Sequence, residues 1–294
     1  MRVAVVGATG TIGRPLVTAL GSAGHQVTAI SRSGSSVAGA YTVVAADASD
    51  SDAMRQALEG AEVVYHLVHS LGQPDFEAID RAAARAVAAG ASAGGALQVI
   101  FLGGLGEEGA DLSAHLRSRA ETAAILVEGS VPVTTLRAAM IVGANSAAFE
   151  TILALVDRLP VMICPRWVSV ETQPVALVDV VAALVVVCGR VQSFGTTYDV
   201  GGLEVMTYRA MMERTARIRG RKPLLIEVPV LTPWLSSLWL HLVTPVNAAV
   251  TRPLIEGLKI PTLAHDDSIW ELTPGSRTGF DDAVRAALAA TASA

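Results

Sequence analysis

The chain has 294 residues, of which 51% are hydrophobic, 17% charged and 4% aromatic. This length fits one large α/β domain, or a large domain with a smaller one, and the apolar share excludes a disordered chain or a coiled coil. The formal net charge of −5 lacks the basic surplus of a nucleic-acid-binding protein, so an anionic ligand must be held by local groups. Two distant cysteines, Cys164 and Cys188, indicate a reducing compartment rather than a disulfide framework or a zinc site.

The first half of the sequence alternates short β-branched runs with Ala-rich helical stretches. This alternation predicts an α/β fold with a doubly wound parallel sheet of the Rossmann type. The predicted strands are residues 2–6, 26–30, 42–45, 62–67, 98–103 and 133–137. The predicted helices between them are residues 11–22, 52–59, 75–93 and 112–128.

The alternation loosens after Gly143, where prolines interrupt the pattern. A buried helix is predicted at residues 178–188, a seventh strand at 197–200, and a helix at 208–219 with Thr207 as its N-cap. We expect residues 1–143 to form the Rossmann core and residues 144–294 to add the remaining sheet elements and a small substrate lobe, in one integrated domain. That lobe should cover the carboxyl ends of the strands, where open α/β sheets bind ligands.

Residues 228–250 contain no Lys, Arg, Asp or Glu and are numerous enough to span a bilayer. Three prolines and several polar side chains in this stretch favour broken helices around a cavity over a spanning helix, with association with a membrane surface left open. The apolar run at the N-terminus stops at Gly7, too early for a signal peptide. We therefore expect a cytoplasmic protein, and its oligomeric state stays open.

A glycine triplet lies directly between the first predicted strand and the first predicted helix. In such a turn the first glycine permits a tight bend, the second lets backbone N–H groups approach a pyrophosphate, and the third lets the helix pack on the strand. The anion would sit at the positive end of the helix. This context predicts dinucleotide binding rather than a merely tight turn. The predicted contacts are Gly7, Thr9, Gly10, Thr11, Ile12 and Gly13.

The end of the second strand distinguishes between the two nicotinamide cofactors. A site that prefers NAD places Asp or Glu there, whereas this chain has Ser31 and Arg32. A guanidinium forms charge-assisted, bidentate bonds to a ribose 2′-phosphate, and the serine hydroxyl can add another. We therefore predict NADPH (NADP) in preference to NADH, the alternative being that Arg32 is a solvated loop residue.

These residues resemble the short-chain dehydrogenase/reductase superfamily, specifically its atypical, NmrA-like or triphenylmethane-reductase-like branch. The resemblance covers most of the chain. Beyond the glycine turn it rests on Asp47-Ala48, Leu136-Arg137, Gln173-Pro174-Val175, Asp179-Val180, Tyr198-Asp199-Val200-Gly201-Gly202 and Thr207-Tyr208. It implies that the carboxylate of Asp47 lies beside the adenine, although a turn-capping Asp is an alternative.

The superfamily normally uses a Ser at the end of the fifth strand and a Tyr-x-x-x-Lys pair on the next helix. Residues 101–107 contain no serine, and His115 and Arg119 occupy the positions of the tyrosine and the lysine. The resemblance implies that Arg119 holds the nicotinamide ribose. With a reference pKa of about 6.5, His115 would donate a proton near neutral pH or position the substrate. The alternative is that neither has a chemical function.

The remaining predicted contacts are one aspartate, histidines, apolar and aromatic residues, and a glycine at the end of a strand. For the cofactor they are Asp47, Ala48, His66, Leu67 and Gly103; for the substrate they are His69, Met140, Trp167, Trp234, Trp239 and His241. The spacing of His66 and His69 invites a metal site, but no third ligand is evident and we predict no metal. Arg137 and Asp179 are expected to form a structural pair beneath the site.

The sequence thus predicts an NADPH-dependent reductase with a small apolar substrate. Without the usual triad, we expect hydride delivery to a quinone, imine, enone or conjugated cation rather than simple alcohol oxidation. Two alternatives stay open: a non-catalytic NADPH-binding redox sensor, and a non-redox isomerase or cyclase on the same fold. The substrate, the direction of reaction and the pathway are not predicted.

Overall fold

The computed structural model describes residues 1–106, 112–228 and 257–292. Its strands are Arg2–Val6 (β1), Gln26–Ser31 (β2), Thr42–Ala45 (β3), Val63–His66 (β4), Gln98–Gly104 (β5), Val133–Ala138 (β6), Ile141–Val142 (β7), Val161–Pro165 (β8), Glu171–Thr172 (β9), Val175–Ala176 (β10), Thr197–Val200 (β11), Met206–Thr207 (β12) and Leu224–Val228 (β13). Its helices are Gly13–Ser22 (α1), Ser51–Ala57 (α2), Phe76–Ala93 (α3), Ala114–Val127 (α4), Ala147–Arg158 (α5), Leu177–Val186 (α6), Tyr208–Ile218 (α7), Ser268–Leu272 (α8) and Phe280–Ala292 (α9).

A seven-stranded sheet in the order β11-β6-β5-β4-β1-β2-β3 forms the centre of the molecule. Each pair of neighbouring strands in it is parallel. The chain builds outward from β1 to β3 and then returns to β4 on the other side of β1, so the order reverses between β1 and β4. Such a switch point opens a crevice at the carboxyl ends of the strands. The predicted Rossmann-type doubly wound fold, with its seventh strand, is confirmed.

Helices cover both faces of this sheet because successive side chains of each central strand point to opposite sides. In β1, Val3 and Val5 pack with α1 and α6, whereas Ala4 and Val6 pack with α2, α3 and α4. Small side chains let the second layer pack closely. A Cβ at Gly90 of α3 would lie 2.9 Å from the carbonyl oxygen of Met54 in α2.

A second core lies in the later half of the chain. Apolar side chains of α5, α7 and α9 form it, among them Phe149, Met211 and Val284. The parallel pair β8–β13 adds Met162 and Leu225 to the same core. In contrast, α6 and β11 belong to the main sheet and its helical layer, so the later residues contribute to both cores.

Two helices begin at a residue whose hydroxyl caps the N-terminus. Thr207 accepts a hydrogen bond from the Ala210 amide at the start of α7, as predicted, and Ser113 accepts one from Leu116 at the start of α4. Within the three described ranges, no helix is long and apolar enough to cross a membrane. Most of the charge-free stretch, residues 229–250, lies outside those ranges.

Candidate functional site

The glycine turn joins β1 to α1 at the switch point of the sheet. Gly7 has a φ of 94°, a left-handed conformation that favours glycine. A Cβ at Gly13 would collide with the carbonyl oxygen of Gly7, so α1 can approach the strand only with glycine there. Among the described side chains, none caps the N-terminus of α1. The positive end of the helix is therefore open to an anion.

This turn lines a cavity of about 570 Å³. The structure brings eleven of the predicted cofactor contacts together around it: Gly7, Thr9, Gly10, Thr11, Ile12, Gly13, Ser31, Arg32, Asp47, Ala48 and Leu67. Val68, His69, Ser70 and Gln73 complete the wall that follows β4. Of the turn residues, Thr11 also donates its hydroxyl to the Asn145 carbonyl 2.7 Å away, which ties the turn to the later half of the chain.

The part of the cavity wall that follows β2 carries a positive charge. Arg32 is exposed, and no carboxylate of the described residues lies within the 4.0 Å of an ion pair. The Ser31 hydroxyl is buried and has no hydrogen-bond partner within the described ranges. Asp47 accepts hydrogen bonds from the amide and hydroxyl of Ser49, which lower the pKa of its carboxyl group. Asp47 thus caps its own turn while lining the cavity.

A second, smaller cavity of about 310 Å³ adjoins the first. Ile12, Leu67 and His69 line both. Four further predicted residues, Gly103, His115, Arg119 and Met140, line the smaller cavity. Most of its remaining lining is apolar and includes Leu71, Leu102, Leu105, Leu116 and Leu258.

Arg119 of α4 connects the loop that follows β4 to the last part of β5. Its Nη1 donates to the Val68 carbonyl at 3.1 Å and its Nη2 to the Leu102 carbonyl at 2.7 Å, while its guanidinium lies 4.6 Å from the ring centre of Phe101. Burial lowers the pKa of Arg119 to about 10, so it stays protonated at neutral pH. Two of its nitrogens are used within the protein, and its contact with a ribose stays a prediction.

The low pKa of His115 weighs against the role of proton donor near neutral pH that the sequence predicted. Burial lowers the pKa of its imidazole to about 3, and the charges of His69 and Arg119 act in the same direction. Its Nδ1 is buried without a hydrogen-bond partner in the described part of the chain. At neutral pH this side chain is therefore an uncharged wall of the smaller cavity.

His66 is a core residue rather than a cofactor contact. Its side chain is fully buried and stacks on Phe101, with ring centres 5.9 Å apart. Neither ring nitrogen has a partner among the residues with described structure, and burial lowers the pKa to about 3. The prediction fails because side chains alternate along β4, so that Leu67, the next residue, reaches the cavities instead.

A buried carboxylate that the sequence analysis missed lies beside the junction of the cavities. Asp80 of α3 is within 3.2 Å of His69 Nδ1 through its Oδ2, and its Oδ1 accepts the Ser70 amide at 2.9 Å. The Ser118 hydroxyl donates to Oδ2 as well. The sequence contains a sign of this site, since Asp80 stands on the apolar stripe of α3 with Ala83, Ala84 and Val87. A charge on such a stripe requires partners.

The charges of this cluster are coupled. Burial lowers the pKa of His69, and the hydrogen bond and charge of Asp80 oppose that effect. Burial raises the pKa of Asp80, but the hydrogen bond with His69, the charges of His69 and Arg119 and the Ser70 amide together bring it below its ordinary value. Asp80 is therefore ionised at neutral pH.

The predicted substrate residues are not all in one place. Met140 lines the smaller cavity and His69 lines both. Trp167 instead packs edge-on against Tyr208, with ring centres 6.1 Å apart, and lines neither cavity. Tyr208 takes the position at the cavity wall that was predicted for Trp167. Trp234, Trp239 and His241 lie outside the described residues.

The expected pair of Arg137 and Asp179 does not form. Arg137 donates its Nε to Asp199 at 2.9 Å, because β6 and β11 are neighbours and place these residues opposite each other in register. Asp179 accepts hydrogen bonds from the amide and hydroxyl of Thr278. The later motifs thus fasten the segment 257–292 to the sheet.

Other residues of the same motifs make the same connection. Gln173 accepts the Ala264 amide at 3.0 Å, and Asp199 accepts the His265 amide at 2.9 Å. Gly257, Leu258 and Thr262 of the fastened segment line the smaller cavity. In the described residues, no group of three or more His, Cys, Asp or Glu is placed to hold a metal ion.

Comparison with known proteins agrees with this geometry. Residues 7–146, which begin at the glycine turn, match the model of a family described as NAD(P)H-binding. This match supports NAD(P)H binding by this part of the chain. It is consistent with the resemblance to the short-chain dehydrogenase/reductase superfamily and to its atypical, NmrA-like branch.

Two relatives match short parts of this chain. A 3-diazoavenalumate denitrifying reductase from a Streptomyces species is 49% identical over 73 residues, which are 24% of each chain. An uncharacterised protein of Mycobacterium tuberculosis is 41% identical over 81 residues, which are 27% of this chain and 10% of that protein. The matches thus span a quarter or less of these relatives' length.

Solved structures match over nearly the whole chain. A nucleoside-diphosphate-sugar epimerase from Staphylococcus aureus has a TM-score of 0.77 at 12% identity, covering 97% of this chain and all of that one. The protein MoeE5, solved with UDP-glucuronic acid and NAD, has a TM-score of 0.75 at 16% identity, covering 100% of this chain and 99% of that one. These likenesses show a shared fold.

The described residues fit a nicotinamide dinucleotide. The turn at Gly7 and Gly13 has no room for side chains, and it opens on the uncapped start of α1. The buried Ser31 hydroxyl without a partner and the exposed Arg32 guanidinium line the same cavity where β2 ends. Donors for two anionic groups therefore line one crevice.

Proposed function

We propose that this protein is an NADPH-dependent reductase that delivers hydride to an apolar unsaturated or carbonyl-like acceptor. One observation is the main support: the cavity that contains the phosphate-binding turn and the apolar cavity meet at Ile12, Leu67 and His69. A cofactor in the larger cavity and an acceptor in the smaller one would therefore be in contact at that junction.

The chain's own residues divide the work of binding. The glycine turn and the start of α1 would hold the pyrophosphate, and Ser31 with Arg32 would hold the ribose 2′-phosphate that distinguishes NADPH from NADH. When bound, the cofactor supplies a hydride. The leucines around the smaller cavity would exclude water and orient an apolar acceptor.

The acceptor class follows from the groups that face the smaller cavity. Without a Ser-Tyr-Lys arrangement, a quinone, imine, enone or conjugated cation suits this site better than a simple ketone. The Streptomyces relative supports the proposal, because it is named as a reductase of a diazo compound. That name belongs to a protein that matches over 24% of its length, so the acceptor is a proposal here.

The test is a panel of quinones, enones, imines and stable iminium cations, with the absorbance of NADPH followed over time. We expect oxidation of NADPH with at least one class and reduced product by mass spectrometry. Binding of NADPH without turnover of any acceptor would favour the redox sensor, and a product of unchanged mass without consumption of NADPH would favour an isomerase or cyclase.

A further inference from the structure

His69 lies where the two cavities meet. It lines both, and its side chain is 29% exposed, whereas the side chain of its partner Asp80 is 1% exposed. The imidazole is therefore fixed on its buried side and accessible on the other. Such a position suits a group that exchanges a proton with a bound molecule.

Asp80 fixes the orientation and the tautomer of His69. The carboxylate is itself held by the Ser70 amide on Oδ1 and by the Ser118 hydroxyl on Oδ2, and Arg119 lies within 4.0 Å of it. Because the ionised carboxylate can only accept, it takes the proton of Nδ1 in a hydrogen bond. That assignment directs Nε2 away from Asp80 and leaves it to protonate or deprotonate.

His115 has none of this support, although its ring centre is 4.9 Å from that of His69. Its buried Nδ1 lacks a hydrogen-bond partner within the described residues, and the charge of Asp80 offsets only part of the cost of a positive charge there. Of the two histidines in the smaller cavity, His69 alone has a carboxylate bonded to it in the part of the chain that the structure describes.

We propose that His69, positioned by Asp80, donates the proton in reductions whose product would otherwise be an oxyanion. The inference depends on the proposed function. Hydride adds to the β carbon of an enone, the electron pair of the carbon–carbon π bond forms a new double bond between the α carbon and the carbonyl carbon, and the carbonyl π pair moves to the oxygen as an enolate. Nε2 of imidazolium His69 gives its proton to that oxygen, the enol becomes the ketone, and the neutral imidazole takes a proton from water.

An iminium acceptor needs no such proton. Hydride addition to its carbon breaks the carbon–nitrogen π bond, the electron pair becomes the lone pair of a neutral amine, and charge is balanced. Reduction of the enone therefore requires both hydride and a proton from the site, whereas reduction of the iminium requires hydride alone. The rate with the iminium is thus a control for hydride delivery in the same variant.

The experiment compares His69→Gln with the parent chain on benzalacetone, an enone, and on an N-methyl dihydroisoquinolinium cation. We expect kcat for the enone to fall about a hundredfold, the low end of general-acid catalysis, and kcat for the iminium to stay within about twofold. His25→Gln is the matched control, because His25 directly precedes β2 and therefore lies at the amino ends of the strands, away from the cavities at their carboxyl ends. Equal loss with both acceptors, or an unchanged enone rate, would overturn the inference while leaving the reductase in place.

The pH profile gives a second test. The charged or titratable groups that face His69 among the described residues are Asp80 of α3 and His115 and Arg119 of α4, with Tyr208 of α7 lining the same cavity. Since the donor must be protonated, kcat/KM for the enone should rise as the pH falls through the pKa of His69, which burial holds below its ordinary value, and it should be flat for the iminium. Asp80→Asn should move the rise to lower pH, because the carboxylate raises the pKa of His69.

A third measurement needs no turnover. In chain labelled with ¹⁵N-histidine and free of cofactor, nuclear magnetic resonance should find His69 protonated on Nδ1 when neutral, and Asp80→Asn should change that tautomer signal. A proton on Nε2 in the parent chain would overturn the inference. If no acceptor of either class is reduced although NADPH binds, the proposed function fails and the inference fails with it.

Discussion

Arg119 occupies the position predicted for the lysine of a Tyr-x-x-x-Lys pair, and in this structure it hydrogen-bonds to two backbone carbonyls. Its two donated hydrogen bonds join the backbone after β4 to the end of β5. A guanidinium offers several donors in a rigid plane, which suits two carbonyls on different segments of the chain, whereas an ammonium is a single point charge. Arg119 thus holds together two segments of the chain that line the cavities.

Replacing Arg119 tests this structural task. Arg119→Met should lower the free energy of unfolding by about 3 kcal/mol, since two buried carbonyls lose their donor and Asp80 loses a nearby cation. Arg119→Lys should recover only part of it. Arg117→Met, two residues earlier on an exposed face, should change it by no more than about 1 kcal/mol. Urea unfolding measures all three, and full recovery by lysine would refute the bidentate task.

Arg32 determines which nicotinamide cofactor the chain prefers, according to the proposed function. Arg32→Glu should raise the Kd for NADPH by about tenfold to a hundredfold, the worth of hydrogen bonds from a charged group, and change the Kd for NADH by less than about threefold. Calorimetric titration measures both. Arg55→Glu, an exposed arginine on α2, is the matched control. A parent chain with equal Kd values for the two cofactors would contradict the preference.

At the scale of elements, the segment 257–292 lines the smaller cavity and is held by side chains of the main sheet and of α6. Asp179 at the start of α6 accepts two hydrogen bonds from Thr278, just before α9. Asp179→Ala should lower the free energy of unfolding by about 2 kcal/mol and speed hydrogen exchange in α8 and α9. Asp282→Ala, which removes only an exposed pair with Arg285, is the control. Unchanged exchange in the Asp179 variant would show that the segment is held by its apolar contacts alone.

The elements of the first half could be predicted from sequence, and many of the later ones could not. Strands such as β1 and β6 are short runs rich in β-branched residues and buried on both faces, bounded by glycines and by Ala-rich helices, so their ends were placed within one or two residues. In contrast, α5 and the short pairs β7–β10 and β8–β13 were missed. Their sequences lie among prolines, and their partners come from distant parts of the chain, which local periodicity does not reveal.

The same distinction applies to the site. The glycine turn and Arg32 were found because a local pattern defines them, and the structure places them around one cavity. The bond between His69 and Asp80 joins a loop to a helix eleven residues later, and only the buried charge on α3 pointed to it. The failed pair of Arg137 and Asp179 has the same cause, since strand register chose Asp199.

At the scale of the whole molecule, the fold buries two histidines whose protonation destabilises the folded state. His66 and His115 have folded pKa values of about 3, set mainly by burial, while the unfolded chain takes up their protons near 6.5. The unfolded state therefore binds more protons at any pH between these values. Each such histidine should lower the free energy of unfolding by about 1.4 kcal/mol per pH unit as the pH falls through that window.

A variant of His66 isolates one of these two contributions. His66→Phe removes the titrating group but keeps an aromatic ring against Phe101, so the dependence of unfolding free energy on pH between about 6 and 4 should become shallower by about 1.4 kcal/mol per unit. Phe101→Leu removes the stacking and keeps the imidazole, so it should lower stability while leaving the slope as in the parent chain. Urea unfolding at a series of pH values measures both slopes. An equal slope in the parent and in His66→Phe would mean that His66 takes up its proton without unfolding of the sheet, and the burial of a neutral imidazole would then not explain the loss of stability in acid.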